Sequence, residues 1–301
     1  MSSTNKNYLK LYVDFLRTKA DVARPLKVVL DFSNGTASIP GKELFAQLPN
    51  LKISIINDRV DGNFPAHGPN PILPGAMNQL SDKVLEDRAD LGVVFDADGD
   101  RAFFIDERGQ FIESHYIAFM LFKNLKPPYV VNEITYKCFE RLKIENMKDL
   151  TDSMVGRLYI TDKMQEAGDQ FGAEQSGHYY FKDFFYSDGG ILASIKILNF
   201  LSRLPGTISE YVATLPKFVL QNIDLETKLE WPEVESLLKI GFKKENAKIA
   251  MRDGVTADFQ EGFINVRFSL NENLLRIYAG AASKDLADKL VEKAVKIILG
   301  K

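Results

Sequence analysis

The chain has 301 residues, 45% hydrophobic and 26% charged, with a formal net charge of −3, a globular composition long enough for two or three domains. That balance, with no basic block and no basic–aromatic interleaving, argues against a nucleic-acid partner. The single cysteine, Cys138, cannot form an internal disulfide, and no apolar run has the length of a leader or of a membrane span, so a cytoplasmic protein without a membrane partner is expected.

In chain order, residues 8–16 space their apolar side chains as an amphipathic helix, and Leu26–Asp31 reads as a short buried strand ended by Ser33-Asn34-Gly35. A helix near 41–48 leads to a strand at 51–56. Pro65, Pro69, Pro71 and Pro74 make the stretch from Asp61 to Pro74 a loop. A helix near 76–88 precedes the strand Leu91–Phe95, and this β-α-β rhythm predicts an α/β layer with mostly parallel strands.

A second unit is expected from Glu113: a helix at 114–124, a strand at 129–131, a helix at 157–167, two short strands around 172–182 and a long helix at 189–203. Leu204-Pro205-Gly206 reads as a linker. Strands near 217–228, 263–269 and 274–279 among helices near 231–243 and 284–299 read as a small α+β domain. The expected fold class is α/β: two mixed or parallel α/β domains, 1–112 and 113–206, followed by a small α+β C-terminal domain, 207–301.

Asp96-Ala97-Asp98-Gly99-Asp100-Arg101 follows one strand and precedes another, Ala102–Asp106. Three carboxylates packed into one turn repel each other unless a cation sits among them. Hard oxygen donors suit Mg²⁺, and the adjacent Arg101 could steady a transferring phosphoryl group. The bland alternative is a solvated acidic turn. An apolar strand followed by Asp-x-Asp also resembles the haloacid-dehalogenase phosphatases, with Asp96 as nucleophile, but the Thr or Val that follows the second Asp there is missing. An EF-hand loop would use Asp96, Asp98, Asp100 and Glu107, yet needs Gly where Arg101 stands and helices where strands are read.

Gly172-Ala173-Glu174-Gln175-Ser176-Gly177-His178 is a second constellation, offering an acceptor, a donor and a switchable donor to sugar hydroxyls. Alone it is a weak signal, since Ser-Gly is a common turn and His178 could be purely structural. Asp-x-Asp-x-Asp-Arg followed about seventy residues later by Gly-x-Glu-x-Ser-Gly-His resembles the phosphomannomutase/phosphoglucomutase family. The stretches Asp61–Pro71, Val155–Ile160 and Tyr186–Gly190 resemble further family segments, so the resemblance runs along nearly the whole chain.

The resemblance implies an isomerase that moves phosphate between C1 and C6 of a hexose, through a sugar bisphosphate, with a phosphoserine as donor. It implies Mg²⁺ on Asp96, Asp98 and Asp100, and sugar hydroxyls held by Glu174 and Ser176. Arg101 and His178, with Arg157, would assist phosphate and proton handling. Arg267 and Ser269, in Arg267-Phe268-Ser269-Leu270-Asn271-Glu272-Asn273, match the family's distal phosphate loop, but Leu270 replaces a small turn residue and Asn271 a Thr. A Lys or Arg usual after the third domain's first strand aligns with Thr135, with Lys137 as a substitute.

The family's first domain, with its Ser-His-Asn-Pro nucleophile loop, is expected to be missing. Thr36-Ala37-Ser38-Ile39-Pro40 resembles that loop only superficially, which argues against Ser38 as nucleophile. The expectation is a mutase-family protein inactive as this chain alone, its ligand a mannose or glucose 1- or 6-phosphate, its phosphoserine domain supplied by a separate chain or in the uncut protein. The alternatives are a non-catalytic sugar-phosphate-binding or interaction module derived from a mutase, and a phosphatase using Asp96.

Overall fold

A computed structural model describes residues 7–144, 147–269 and 272–300. Helix α1 (Tyr8–Arg17) is N-capped by Asn7, whose side chain accepts from Lys10 N–H, and buries Val13 and Leu16. There follow β1 (Leu26–Asp31), α2 (Ser38–Phe45), β2 (Leu51–Ile56), α3 (Asn78–Asp87), β3 (Leu91–Phe95), β4 (Ala102–Asp106), β5 (Phe111–Ile112) and α4 (Ser114–Lys123). Helix α2 starts earlier than the sequence suggested, because Pro40 sits in its first turn, where a missing N–H costs nothing. The sheet order is β2-β1-β3-β4-β5, with β2, β1 and β3 parallel and β4 and β5 antiparallel. All five residues of β3 are buried, as the unbroken apolar run Leu-Gly-Val-Val-Phe requires of a central strand covered on both faces. Leu80 and Val84 of α3 pack on Val29, Val94, Phe103 and Ile105.

The chain continues through β6 (Tyr129–Asn132), α5 (Glu133–Leu142), β7 (Leu150–Ser153), α6 (Arg157–Ala167), β8 (Phe171–Ala173), β9 (Tyr179–Phe181), β10 (Ser187–Asp188), α7 (Gly190–Leu201) and α8 (Ile208–Ala213). Strands β8, β9 and β10 run antiparallel, with Gly172 opposite Tyr180 and Asp188 also opposite Tyr180. Where the sequence suggested only a linker after α7, a capping box of Thr207 and Glu210 starts α8. Helix α5, not anticipated, is capped by Asn132, whose side chain accepts from Thr135 N–H.

The C-terminal region holds β11 (Val219–Leu225), α9 (Trp231–Lys244), β12 (Lys248–Ala250), β13 (Val255–Asp258), β14 (Gly262–Phe268), β15 (Leu275–Ala281) and α10 (Lys284–Leu299). Its sheet is antiparallel, in the order β11-β15-β14-β13-β12. Val234, Leu238 and Phe242 of α9, spaced at helical intervals, join Leu290, Ala294 and Ile298 of α10 over the face bearing Val266, Ile277 and Ala279. Ser283 caps α10 at one end and Gly300, in the left-handed conformation, at the other.

The chain divides into two compact units, residues 1–129 with 164–214 and residues 130–163 with 215–301. In the second, Ile134 and Cys138 of α5 bury themselves against Phe218, Phe263 and Tyr278. Among the described residues no helix is long and apolar enough to cross a membrane.

Candidate functional site

The acidic loop begins at the C-terminal end of β3, the central strand of the first sheet, where open α/β sheets place their ligands. Neighbouring turns fix its path: Ser33 Oγ donates to Phe95 O, and Thr36 N–H donates to Ala97 O at 2.9 Å. Gly35 permits that approach, since a Cβ there would lie 2.4 Å from Ala97 O. Asp96 is buried; its Oδ1 accepts from Gly99 N–H at 3.1 Å and Arg101 N–H at 3.2 Å, and its Oδ2 accepts from Arg101 Nε at 2.5 Å. The loop is therefore wound around the Asp96 carboxylate, which turns Asp98 outward and leaves Asp100 half-buried.

One ligand atom from each of Asp96, Asp98 and Asp100 lies within 4.8 Å of the others. Burial pushes the Asp100 carboxyl up to about 6, with His178 opposing and the charges of Asp96, Asp188 and Asp98 adding to the rise. Three hard oxygen donors brought together on one turn are a donor set that suits a small divalent cation. The residues fit Mg²⁺. The EF-hand reading fails on the flanking strands, and Glu107 instead accepts from the Ser209 hydroxyl.

The Glu-Ser-His turn docks directly on this loop. Arg101 and His178 form an antiparallel bridge, and Ala102 N–H donates to Gly177 O at 3.2 Å. The turn closes on itself through Glu174 N–H to His178 O (3.0 Å) and Gly177 N–H to Glu174 O (3.1 Å), leaving Ser176 half-buried at its tip. Glu174 is buried, and its Oε2 accepts from the Tyr180 hydroxyl at 2.7 Å. His178 Nδ1 is 2.8 Å from Asp188 Oδ2 and 3.7 Å from Asp100. Burial disfavours a charged imidazole here, but the Asp188 hydrogen bond and the charges of Asp100 and Glu174 outweigh it and raise the pKa above the ordinary value. The start of α7 seals the arrangement: Gly190 N–H donates to Gly99 O at 3.2 Å, and a Cβ at Gly190 would lie 2.6 Å from Arg101 O.

Asp96, Asp98, Asp100, Arg101, Glu174, Ser176 and His178 thus come together within the first unit. Tyr180 and Asp188, which orient Glu174 and His178, were not singled out from the sequence. Their signal was strand register, since β8, β9 and β10 place both beside the turn. Arg157, Arg267 and Ser269 belong to the second unit, Arg157 opening α6 and Arg267 near the end of β14. Arg267 is buried, with Nε 3.7 Å from Asp253 Oδ2. Ser269 N–H donates to Leu274 O at 2.9 Å, and Glu272 pairs with Arg276 at 2.6 Å. Leu270 and Asn271 lie outside the described residues.

Thr135 is buried with its hydroxyl donating to Asn132 Oδ1 at 2.8 Å, so it serves the cap of α5. Lys137 is held by Asp258 at 2.6 Å and Glu140 at 2.8 Å, and is a strut between α5 and β13. Ser38 is buried with its hydroxyl donating to Gly35 O at 2.9 Å, a local helix-start contact.

Residues 7–109 match domain II, and residues 116–218 domain III, of the phosphoglucomutase/phosphomannomutase alpha/beta/alpha domains. The chain is 28% identical to a phosphomannomutase of Escherichia coli strain K12, covering 90% of this chain and 62% of that protein. It is 30% identical to the phosphoglucosamine mutase of Bacillus subtilis strain 168, covering 95% and 63%. It therefore spans a little over three-fifths of the length of these relatives. A phosphoglucomutase/phosphomannomutase family protein from Burkholderia thailandensis superposes with a TM-score of 0.80 at 24% identity, over 97% of this chain and 64% of the other. An Aspergillus fumigatus N-acetylphosphoglucosamine mutase in complex with GlcNAc-6P and magnesium has the same fold, at a TM-score of 0.64 and 18% identity over 97% and 69% of the two chains. With both α/β domains matched and relatives of one kind along almost its whole length, the chain belongs to the phosphoglucomutase/phosphomannomutase family.

Proposed function

We propose that the first unit carries the metal- and sugar-binding part of a phosphohexomutase site, which works on a hexose phosphate, mannose or glucose 1- or 6-phosphate, by C1–C6 phosphate transfer through a bisphosphate. The observation that carries this reading is the backbone bridge between Arg101 and His178, which fixes the acidic loop against the Glu-Ser-His turn. Asp96, Asp98 and Asp100 would hold Mg²⁺, which when bound supplies charge stabilisation to a phosphoryl oxygen.

The protein's own groups divide the remaining work. Arg101 locks the Asp96 side chain in place and presents positive charge beside the carboxylates. Glu174, oriented by Tyr180, accepts from sugar hydroxyls, and Ser176 at the tip of the turn donates to them. Asp188 holds Nδ1 of His178, leaving Nε2 as the ring nitrogen for orientation or proton traffic. Arg157, Arg267 and Ser269 of the second unit are assigned to the phosphate. The phosphoserine donor is supplied from outside these residues, on a separate chain or in a longer form of the protein, and the setting is cytoplasmic.

A second reading, a sugar-phosphate binder without turnover, is favoured by the engagement of Lys137 with Asp258 and of Thr135 with Asn132, which leaves that position without a phosphate-directed cation. A coupled mutase assay with Mg²⁺, glucose 1-phosphate or mannose 1-phosphate, and catalytic hexose 1,6-bisphosphate separates the two. The mutase-part reading expects turnover only when a phosphoserine domain is added, and its loss in Asp96→Ala. Hexose-phosphate binding with no turnover even then establishes the binder.

A further inference from the structure

Asp31 ends β1 beside Val94 of β3, close to where the acidic loop begins, and it is fully buried. Its carboxylate accepts from Ser33 N–H at 2.8 Å, from the Asn57 side-chain amide at 3.1 Å and from His67 Nε2 at 3.1 Å. Ser33, Asn34 and Asn57 all take left-handed backbone, with φ of 51°, 56° and 52°. Such strain in non-glycine residues persists only where the surroundings impose it. A packing role alone does not explain His67. Its side chain is 5% exposed, and among the described residues its Nδ1 is buried without a hydrogen-bond partner. An unpaired buried ring nitrogen is unfavourable, and an apolar side chain of similar size would avoid it. What the imidazole supplies, and a leucine would not, is the bond to Asp31.

Two routes lead from this pair to the acidic loop. Through Asp31, Ser33 is fixed, and its hydroxyl donates to the carbonyl of Phe95, the residue before Asp96. Along the chain, Pro69 O, two residues beyond His67, accepts from Ala97 N–H at 3.2 Å. Asn34 anchors the same 61–71 loop: its carbonyl accepts from Asp61 N–H at 3.0 Å and its Oδ1 from Ala66 N–H at 3.3 Å. Ala97 stands between Asp96 and Asp98, so both routes end on backbone that sets the spacing of the clustered carboxylates.

We propose that His67, acting through Asp31, is a positioning residue for the acidic loop, clamping the 61–71 loop onto it and holding Asp96 and Asp98 at metal-binding spacing. The proposal rests on the reading of Asp96, Asp98 and Asp100 as Mg²⁺ donors and adds what keeps them in place. Removing an outer partner that orients metal donors lowers affinity by roughly 10–100-fold.

Calorimetry would follow Mg²⁺ binding to the full chain and to His67→Leu, His67→Asn and His67→Gln, with urea unfolding of each in parallel. Gln can place an amide N–H where Nε2 stands and donate to Asp31, whereas Leu has no donor and the shorter Asn does not reach. Mg²⁺ affinity should fall about tenfold in His67→Leu and His67→Asn but stay within about threefold of the unaltered chain in His67→Gln. A residue that only fills space would not be rescued in this way. Hydrogen exchange of residues 95–101 in metal-free protein reads the clamp without Mg²⁺: it should quicken about tenfold in His67→Leu and His67→Asn and stay slow in His67→Gln. Unchanged Mg²⁺ affinity or unchanged exchange in folded His67→Leu or His67→Asn, or His67→Gln as impaired as His67→Leu, would overturn the proposal. Equal Mg²⁺ affinity in the unaltered chain and Asp98→Asn would overturn the metal reading instead, and the exchange measurement tells the two failures apart.

Discussion

Asp169 precedes β8, the strand that leads into Glu174, and both of its carboxylate oxygens are buried without a hydrogen-bond partner. Burial raises its pKa from 3.8 to about 6, with Lys182 pulling the other way. A carboxyl whose folded pKa lies above the unfolded one makes the fold bind the extra proton between those two values. Stability is then highest below about pH 4 as far as this group is concerned, declines through about pH 6, and stays reduced above it. A shift of about two units corresponds to an upper limit of about 3 kcal/mol. Relaxation of the surroundings around the ionised carboxylate reduces that, so about 1–2 kcal/mol is the working figure. Asp169→Asn keeps the shape and removes the charge. Urea unfolding of both proteins at pH 4 and pH 7.5 should give equal midpoints at the lower pH and a more stable variant at the higher. A difference that does not change with pH, or a variant less stable at pH 7.5, would refute the burial argument.

Asp98→Asn should lower Mg²⁺ affinity by about tenfold or more in calorimetry, because it replaces one of three anionic oxygen donors with a neutral amide oxygen while leaving the Asp96–Arg101 core of the loop intact. Gly190→Ala should cost about 1–3 kcal/mol in chemical denaturation and weaken Mg²⁺ binding, since its Cβ would lie 2.6 Å from Arg101 O and push α7 off the acidic loop. Lys137→Met should destabilise the second unit by about 1 kcal/mol, since Asp258 loses its 2.6 Å partner but keeps Arg141 at 3.5 Å, while leaving Mg²⁺ binding unchanged. A Lys137→Met protein of normal stability that has lost hexose-phosphate binding would make Lys137 a ligand residue after all.

Much of the fold was legible because its long elements follow simple periods. Helices α9 and α10 and the strands β14 and β15 carry clean 3.6- and 2-residue patterns, and the four prolines of the 61–74 loop could not sit in either. Helix α5 escaped notice because Ile134, Thr135, Tyr136 and Phe139 favour strands, and because it is buried on more than one side, which blurs the polar face. Strands β12 and β13 are three and four residues long, too short for alternation to stand out. At the site, the acidic residues and the Glu-Ser-His turn could be read from spacing, but the bridge that joins them depends on Arg101 and His178, just before β4 and β9, meeting in space. For the same reason Asp188, ten residues from His178 in sequence and 2.8 Å from it in the fold, could not be assigned. Lys137 shows the converse: a cation in a suggestive place in the sequence is used up by Asp258, 121 residues away.

The central claim, that the Glu-Ser-His turn beside the acidic loop holds a hexose phosphate, is tested most directly by titrating glucose 1-phosphate, in the presence of Mg²⁺, into the protein and into Glu174→Ala. The account predicts saturable binding that weakens by about tenfold or more in the variant, since the buried carboxylate proposed to accept from sugar hydroxyls is lost, with Mg²⁺ affinity retained. Equal affinity in the two proteins, with the variant folded, would contradict it.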